Sequence, residues 1–569
     1  MRSSLTSLAL MLLAVTNGLA QDLGDLRDQK PFAVHGSLGA GMEFYQSNEA
    51  YPTRPPFAWN VYGSLTPSVY GVTMPVTFVV TQYGKSYAYP FAQVGISPAY
   101  KWVRLHLGYR TILFSPLVFA GQSFLGAGVE LSPKGFYLGG FYGRLNRAVQ
   151  EDTSFAHPIE PQYARVGYGL KLGVGTPKNN FNISFFHAKD EIGSIKRLQD
   201  SLTTVLPQEN TVVGSSWHFT FFHRLVWSGD LAAGLLNRDQ SYQEIDSVGY
   251  YKIPTLMKKL MPVNWSSVFS YAGQSQVSFT WKTINASAGY RRIAPDFVSL
   301  GVPYMLNDLE MVNGAFGGNF FKGRLNTNLA FTTQHNNLSH LLASTLVTRT
   351  GNLAVNAFVS QHFNLSATMT GAQVYQRDGA SALSDSVRMD QLMFSVTVAP
   401  TLNFTGNDYQ HTISASLSYT ALYDHNPATS ALTAGNNIST SLNYALYFSH
   451  AFWGLNAAIL YNRYGQGDNR YQSAGINAGL NAQLLGNHQL ALLGSAGYFL
   501  NKYSSSPAGN NTTFSFTGNY TLQHHSVGVY LNYVLTPPVN LNPLTAVYHI
   551  PIAVNSKNFA GGIMYGFHF

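Results

Sequence analysis

Gly561-Gly562-Ile563-Met564-Tyr565-Gly566-Phe567-His568-Phe569 ends the chain, and four of its large apolar residues, Ile563, Tyr565, Phe567 and Phe569, fall on alternate positions. Successive side chains of an extended strand point to opposite faces, so these four share one face. The same period runs backwards through the sequence. Phe514, Phe516, Tyr520 and Leu522 alternate with Ser515, Thr517, Asn519, Thr521 and Gln523. Val103, Leu105, Leu107 and Tyr109 alternate with Arg104, His106, Gly108 and Arg110, and Val34, Leu38, Ala40, Met42 and Phe44 with His35, Ser37, Gly39, Gly41 and Glu43. Helical spacing would mix apolar and polar sets on one face. The chain therefore reads as all-β, with strands that are apolar on one side and polar on the other.

A soluble sandwich alternates too, so the connections decide between the two. Strands that cross a membrane up and down are joined alternately by short and long segments. Short turns fall at residues 68–71, 101–102, 133–135, 176–179, 361–364, 485–487 and 523–525. Longer segments lie at 46–56, 148–162, 189–210, 237–263, 293–308 and 536–557. Punctuation is weakest over 265–271 and 341–360. This spacing predicts a single transmembrane antiparallel up-and-down β-barrel of about 26 strands, to within about four, and an even number sets both termini on the periplasmic side. Lipid cannot satisfy open strand edges, so the first and last strands are expected to pair.

Composition agrees. Charged residues make up 11% of the 569 residues and aromatics 14%, whereas a soluble protein carries about 25% charge. Residues 1–20, with Arg2, an apolar run from Leu5 to Val15 and Gly18-Leu19-Ala20, read as a signal peptide. Residues 21–31 then form a short periplasmic segment and 32–569 one barrel with long extracellular loops, because no linker divides the chain. The absence of cysteine leaves neither a disulfide framework nor a lipidated residue. A formal charge of +8 is scattered rather than clustered, which together with export disfavours nucleic acid as a partner.

In Tyr565, Phe567 and Phe569 the end of the chain resembles the terminal β-signal of outer-membrane barrel proteins. That resemblance implies recognition of these three residues by the barrel-assembly machinery. The stretch GYRRIAPDFVSLGVPYMLNDLEMVNGAFGGNFFKGRL at 289–325, and the hairpin at 353–375, resemble segments of large Bacteroidota-type outer-membrane barrels. The likeness implies the architecture and transfers neither substrate nor catalytic residue.

Chemistry-bearing clusters are sparse. His335, Asn336 and His340 lie close in one loop and Asp424-His425 in another, but neither has a serine partner pattern, and a nucleophile needs a base and a group that orients it. His524-His525 straddle a turn, and adjacent strand residues diverge, which suits a solvated turn better than a metal pair. No catalytic, cofactor or metal site is expected, and the chain is not expected to be an enzyme. The seven tryptophans fall mainly near strand ends, as an interfacial girdle does. The tyrosine-rich polar faces could also bind sugars, although the sequence does not sort lumen-facing from lipid-facing tyrosines at every strand.

A barrel of about 26 strands is on the order of 50 Å across, too wide for its own side chains to fill. The leading expectation is a conduit across the outer membrane with a lumen constricted by loops. A non-conducting scaffold or surface anchor for a partner protein is the alternative, and outer-membrane lipid and a plug or surface subunit are the expected partners. Leu198 and Leu202 in the 189–210 loop, and Leu256 and Met257 in the 237–263 loop, recur at near-helical spacing. They are the candidates to fold into or across the mouth and narrow it, with Lys258 and Lys259 left hydrated.

Overall fold

A computed structural model describes residues 30–48, 54–70, 72–82, 93–150, 161–196, 205–245, 253–504, 506–536 and 556–569. The expected signal peptide and nearly all of the N-terminal segment lie outside them. Within them the strands form one closed antiparallel barrel of 26 strands. Val72–Thr73 and Val76–Thr81 together make one barrel strand, and so do Gln93–Ile96 and Ala99–Tyr100. The regions of weak punctuation resolve into a strand from Ser267 to Trp281 and another from Ser344 to Phe358.

Closure is by the first strand, Phe32–Ser47, and the last, Ser556–His568, which pair from Ser37↔His568 to Ser47↔Asn558. The Phe569 amide extends the seam by donating to the Gly36 carbonyl at 2.9 Å. Both ends of the barrel chain thus sit at the end of the cylinder that carries the short turns. Those turns include Lys101 and Gln523 with positive φ, and the pair Phe222-His223, whose φ values of 51° and 58° match the twisted two-residue hairpin that Asn-Gly usually supplies.

Following the register around the barrel assigns every strand position to one of two faces. Leu38, Ala40, Met42 and Phe44 of the first strand share a face with Ile563, Tyr565 and Phe567 of the last, and with Tyr168, Leu170, Leu172 and Val174 of Arg165–Gly175. This outer face stays exposed: Val174 is 57% accessible, Ile459 61% and Ile476 61%. An apolar exterior on a closed barrel is a surface for lipid, since water would penalise it. Trp102, Trp217, Trp227, Trp281 and Trp453 gather towards the turn end, and Trp59 and Trp265 lie at the loop end. That is the distribution an interfacial girdle requires.

Apart from the neutral Asn, Ser and Thr lining, the inner face holds the main buried core. It is built where the wall meets two connections that turn inwards, described next.

Candidate functional site

Between the strands Val103–Arg110 and Phe124–Leu131 lie thirteen residues, 111–123, that leave the ladder and fold against the inner wall. Pro116 at their centre cannot donate to a strand ladder. The segment instead closes on itself: the Val118 and Phe119 amides donate to the Ser115 carbonyl, each at 3.1 Å, and the Phe114 amide donates to the Phe119 carbonyl at 3.0 Å. The resulting bend aims Phe114, Leu117, Val118 and Phe119 at the wall, where each is at most 2% exposed.

The wall is shaped to receive them. Glycines occupy lumen-facing positions where the segment lands, and a Cβ on Gly214 would stand 2.5 Å from Val118 Cγ2. Phe119 stacks among wall rings, its centroid 4.4 Å from Phe141 and 5.3 Å from Phe186. Polar staples complete the seat. Lys171 Nζ donates to the Phe114 carbonyl at 2.7 Å, and Ser115 Oγ donates to Asp230 Oδ1 at 2.9 Å.

A second connection, residues 294–308 between Ile284–Ile293 and Leu309–Phe320, packs on the first. Ser299 Oγ donates to the Val118 carbonyl at 2.6 Å, and the Ala120 amide to the Gly301 carbonyl at 3.1 Å. Asn210, fully buried on the wall, holds it from below: its Nδ2 donates to the Val298 carbonyl at 3.1 Å and its Oδ1 accepts the Leu300 amide at 3.0 Å. Phe297 and Leu300 join the same apolar cluster. Burying each such side chain contributes roughly 1.5–3 kcal/mol before ordering costs, so the several here suffice to hold both segments in place.

Cavities flank this inner lump on both sides. Towards the loop end about 510 Å³ is bordered by Arg165, Asp190, Arg238 and Asp296, with Arg165 forked onto Asp190 at 2.7 and 3.0 Å. Towards the turn end about 520 Å³ is bordered by His218, Asp230, Gln274 and Arg291. The neighbouring lumen wall carries a further charged group: Glu130 receives His106 Nε2 at 2.9 Å and the Tyr137 hydroxyl at 2.6 Å, with Arg104 at 3.7 Å. The opposite wall differs. Among the described residues, lumen-facing positions of the strands from Ser344–Phe358 to His525–Thr536 hold no charged side chain except Asp378 and Asp424, both at the loop end.

The residues expected to narrow the mouth behave otherwise. Leu198 and Leu202 lie outside the described residues. Residues 253–263, including the helix Thr255–Leu260, pack on Val213, Leu235 and Phe269, which the register places on the outer face near the loop-end rim. Met257 is buried there at 3% exposure, while Leu256 is 62% exposed. For residues 253–263 the expectation of a turn into the mouth is therefore corrected: their apolar side packs on the outside of the wall instead.

The other singled-out groups have structural partners. Asp424 accepts the Thr429 hydroxyl at 2.7 Å, the Asn426 amide at 3.0 Å and the Thr433 hydroxyl, so it ties its own loop. His335 Nδ1 lies 3.1 Å from the Asn336 carbonyl. His525 Nδ1 lies 2.8 Å from the Tyr565 hydroxyl on the outer face. Tyr565 and Phe567 face outwards with Ile563, and Phe569 packs edge-on to Phe567 at 4.8 Å.

Phe114, Val118, Phe119 and Asn210 were not anticipated as site residues. The apolar run at 111–123 imitates a strand, and only Pro116 marks it as something else. The alternating glycines at 167, 169 and 173 were the second available signal, since glycine inside a strand often marks a close approach.

No protein-family model matches the chain, and neither does any curated protein sequence. Among solved structures it is similar to the copper transporter OprC, at 8% identity and a TM-score of 0.38, over 95% of this chain and 81% of that one. It is also similar to the translocation pore of the P pilus usher PapC, at 9% identity and a TM-score of 0.35, over 94% and 98% of the two chains. A third is OccAB2 of Acinetobacter baumannii, at 11% identity and a TM-score of 0.31, over 64% and 92%. Overlaps this loose assign neither family nor cargo.

Proposed function

We propose that this chain is a passage across the outer membrane, inserted with both termini on the periplasmic side and narrowed from one wall by residues 111–123 and 294–308. The observation that supports this reading is the mismatch between cylinder and filling. A barrel of 26 strands is a backbone cylinder on the order of 50 Å across, wider than its inward side chains can fill. Among the described residues only those two segments build a buried core against the inner wall, and the facing wall is lined by hydroxyls and amides that water solvates. Cargo would pass between a charged, plugged side and a neutral side. The barrel-assembly machinery would reach the chain through Tyr565, Phe567 and Phe569.

Planar-bilayer recording tests the reading. Purified protein is compared with a variant in which residues 112–121 are replaced by a glycine-serine segment of the same length, both shown to be folded by heat-modifiable migration. The expected result is a conducting wild type and a larger single-channel conductance in the variant. If both folded proteins are electrically silent, the passage reading fails and a surface scaffold that carries a partner protein takes its place.

A further inference from the structure

On the neutral wall, three tyrosines from three adjacent strands face the lumen side by side near the loop end. Tyr464 belongs to Trp453–Gln466, Tyr471 to Asn469–Leu484 and Tyr503 to Leu490–Tyr503. The register puts Tyr464 opposite Tyr471, and Tyr471 opposite Tyr503. With Asn437, Asn462, Asn469, Gln466 and Ser473 they line a concavity of about 650 Å³. No charged side chain is among its lining residues.

The polar groups of this concavity are arranged rather than loose. Each phenol donates to an amide oxygen: Tyr464 to Gln466 at 3.0 Å, Tyr471 to Asn501 at 2.9 Å and Tyr503 to Asn469 at 2.7 Å. Each tyrosine oxygen therefore keeps its acceptor capacity, and the ring is fixed in direction. Asn501 is 3% exposed, yet its Nδ2 has no hydrogen-bond partner, and neither does the buried Oδ1 of Asn437 in the lining. Both atoms are sealed from solvent, so the groups a ligand meets are the phenol oxygens together with the amides of Asn462, Asn469 and Gln466, which offer donors and acceptors side by side.

We propose that this concavity is a binding subsite for a neutral oligosaccharide. A pyranose presents an apolar C–H face that lies on an aromatic ring, and a rim of hydroxyls that both donate and accept. Three aromatic rings in a row with amides between them match successive sugar units. Among its described residues the lining is uncharged, which favours a neutral ligand over one carrying a phosphate or carboxylate. A cavity of several hundred cubic ångströms holds a ligand of a few rings. The proposal rests on the passage reading for its purpose, since a weak subsite on the wall of a bore would raise the residence of sugar in it.

The test uses full-length protein reconstituted in planar bilayers, with maltohexaose, cellohexaose and isomaltohexaose as probes, and calorimetry on the same detergent-solubilised protein. At least one hexaose is expected to interrupt the open-channel current and to bind in the calorimeter. The Tyr471→Ala, Tyr503→Ala double variant is expected to weaken that binding about tenfold or more, as the loss of two aromatic contacts implies, with heat-modifiability unchanged. Tyr471→Phe tests the hydroxyl separately and should retain most of the binding. A folded, conducting protein that no hexaose blocks or binds overturns the subsite and leaves the passage standing. Binding to a protein that does not conduct supports the subsite and overturns the passage. Binding unaffected by the double variant overturns the location.

Discussion

Phe114 lies so close over Gly169 that a Cβ on the glycine would stand 2.5 Å from the phenylalanine ring. Gly169 faces the lumen from the strand Arg165–Gly175, and Phe114 belongs to the segment that left the ladder, so the contact fixes where that segment rests. Gly169→Leu is expected to lift residues 111–123 from the wall while the backbone ladder keeps the barrel closed, the new Cβ also crowding the Phe141 ring at 2.9 Å and the Phe185 carbonyl at 3.1 Å. Single-channel conductance should rise, and adding Phe114→Ala should relieve the clash, so that the double variant is less perturbed than the sum of the two single ones. Additive effects would show that the two residues do not meet.

Phe119 is the centre of the aromatic cluster, fully buried between Phe141 and Phe186. Phe119→Ala should cost about 3–5 kcal/mol of local packing, the usual range for a buried phenylalanine. The loss belongs to the segment and not to the barrel. Amide exchange across 112–121 is expected to accelerate in this variant while exchange in Leu490–Tyr503, on the far wall, stays as it was. Equal acceleration in both places would mean that the cluster holds the whole barrel together.

Lys171 ties the segment by a polar bond, its ammonium group donating to the Phe114 carbonyl at 2.7 Å. Lys171→Met leaves that carbonyl without its donor, a loss of about 1–3 kcal/mol when the group stays dry. Lys171→Arg keeps a donor and should retain most of the protection. Proteolysis with a protease that cuts after aromatic residues is the measurement, with cleavage near Phe114 expected for Met and not for Arg. Similar resistance in both variants would remove Lys171 from the list of ties.

How far the sequence foretold this structure depended on which force decided each part. Alternation such as Val103 to Tyr109 against Arg104 to Arg110 is a direct consequence of extended geometry, so strand faces, the closing strand and turns such as 133–135 and 523–525 were legible, whereas the turn at Phe222-His223, which holds no Gly, Asn or Pro, was not. The inward segments were not. Ile112, Leu113, Phe114 and Val118 are as apolar as any lipid-facing residue, and only a tertiary contact with Gly169 and Gly214 tells which side of the wall they choose. The helix Thr255–Leu260 shows the converse: Met257 announced a buried face correctly, but the partner that buried it, Leu235, sits on the outside, which no local pattern encodes. Tyr464, Tyr471 and Tyr503 became a group only when register placed them on one face.

Phe569 closes the seam by the hydrogen bond its amide donates to the Gly36 carbonyl, and with Tyr565 and Phe567 it presents an aromatic end to the lipid side. Deleting Phe569 is expected to reduce the amount of heat-modifiable folded protein in the outer membrane rather than to alter conductance per channel. Western quantification of folded and unfolded species, alongside single-channel recording of whatever folds, separates the two. A variant that accumulates to normal levels but has lost conductance would contradict an assembly role.

A cross-link can establish that residues 111–123 lie inside the barrel. The chain contains no cysteine, so a pair introduced at Val118 and Gly214 has no competitor. A Cβ on Gly214 would lie 2.5 Å from Val118 Cγ2, the position that a cysteine sulfur at residue 118 approximates. A disulfide places each sulfur near the opposite Cβ, with the two Cβ atoms about 3.5–4.5 Å apart. Val118→Cys with Gly214→Cys should therefore oxidise readily, closing a loop that mass spectrometry detects after proteolysis. Because Gly214 faces the lumen and Leu231 across from its neighbour Ser215 faces lipid, a control pair at Val118 and Leu231 should remain reduced. In the Gly169→Leu background the Val118–Gly214 bond should form more slowly, since the segment no longer rests on the wall. Efficient bonding of the control pair, or none at all in the Val118–Gly214 pair of a folded barrel, would place the segment somewhere other than the lumen.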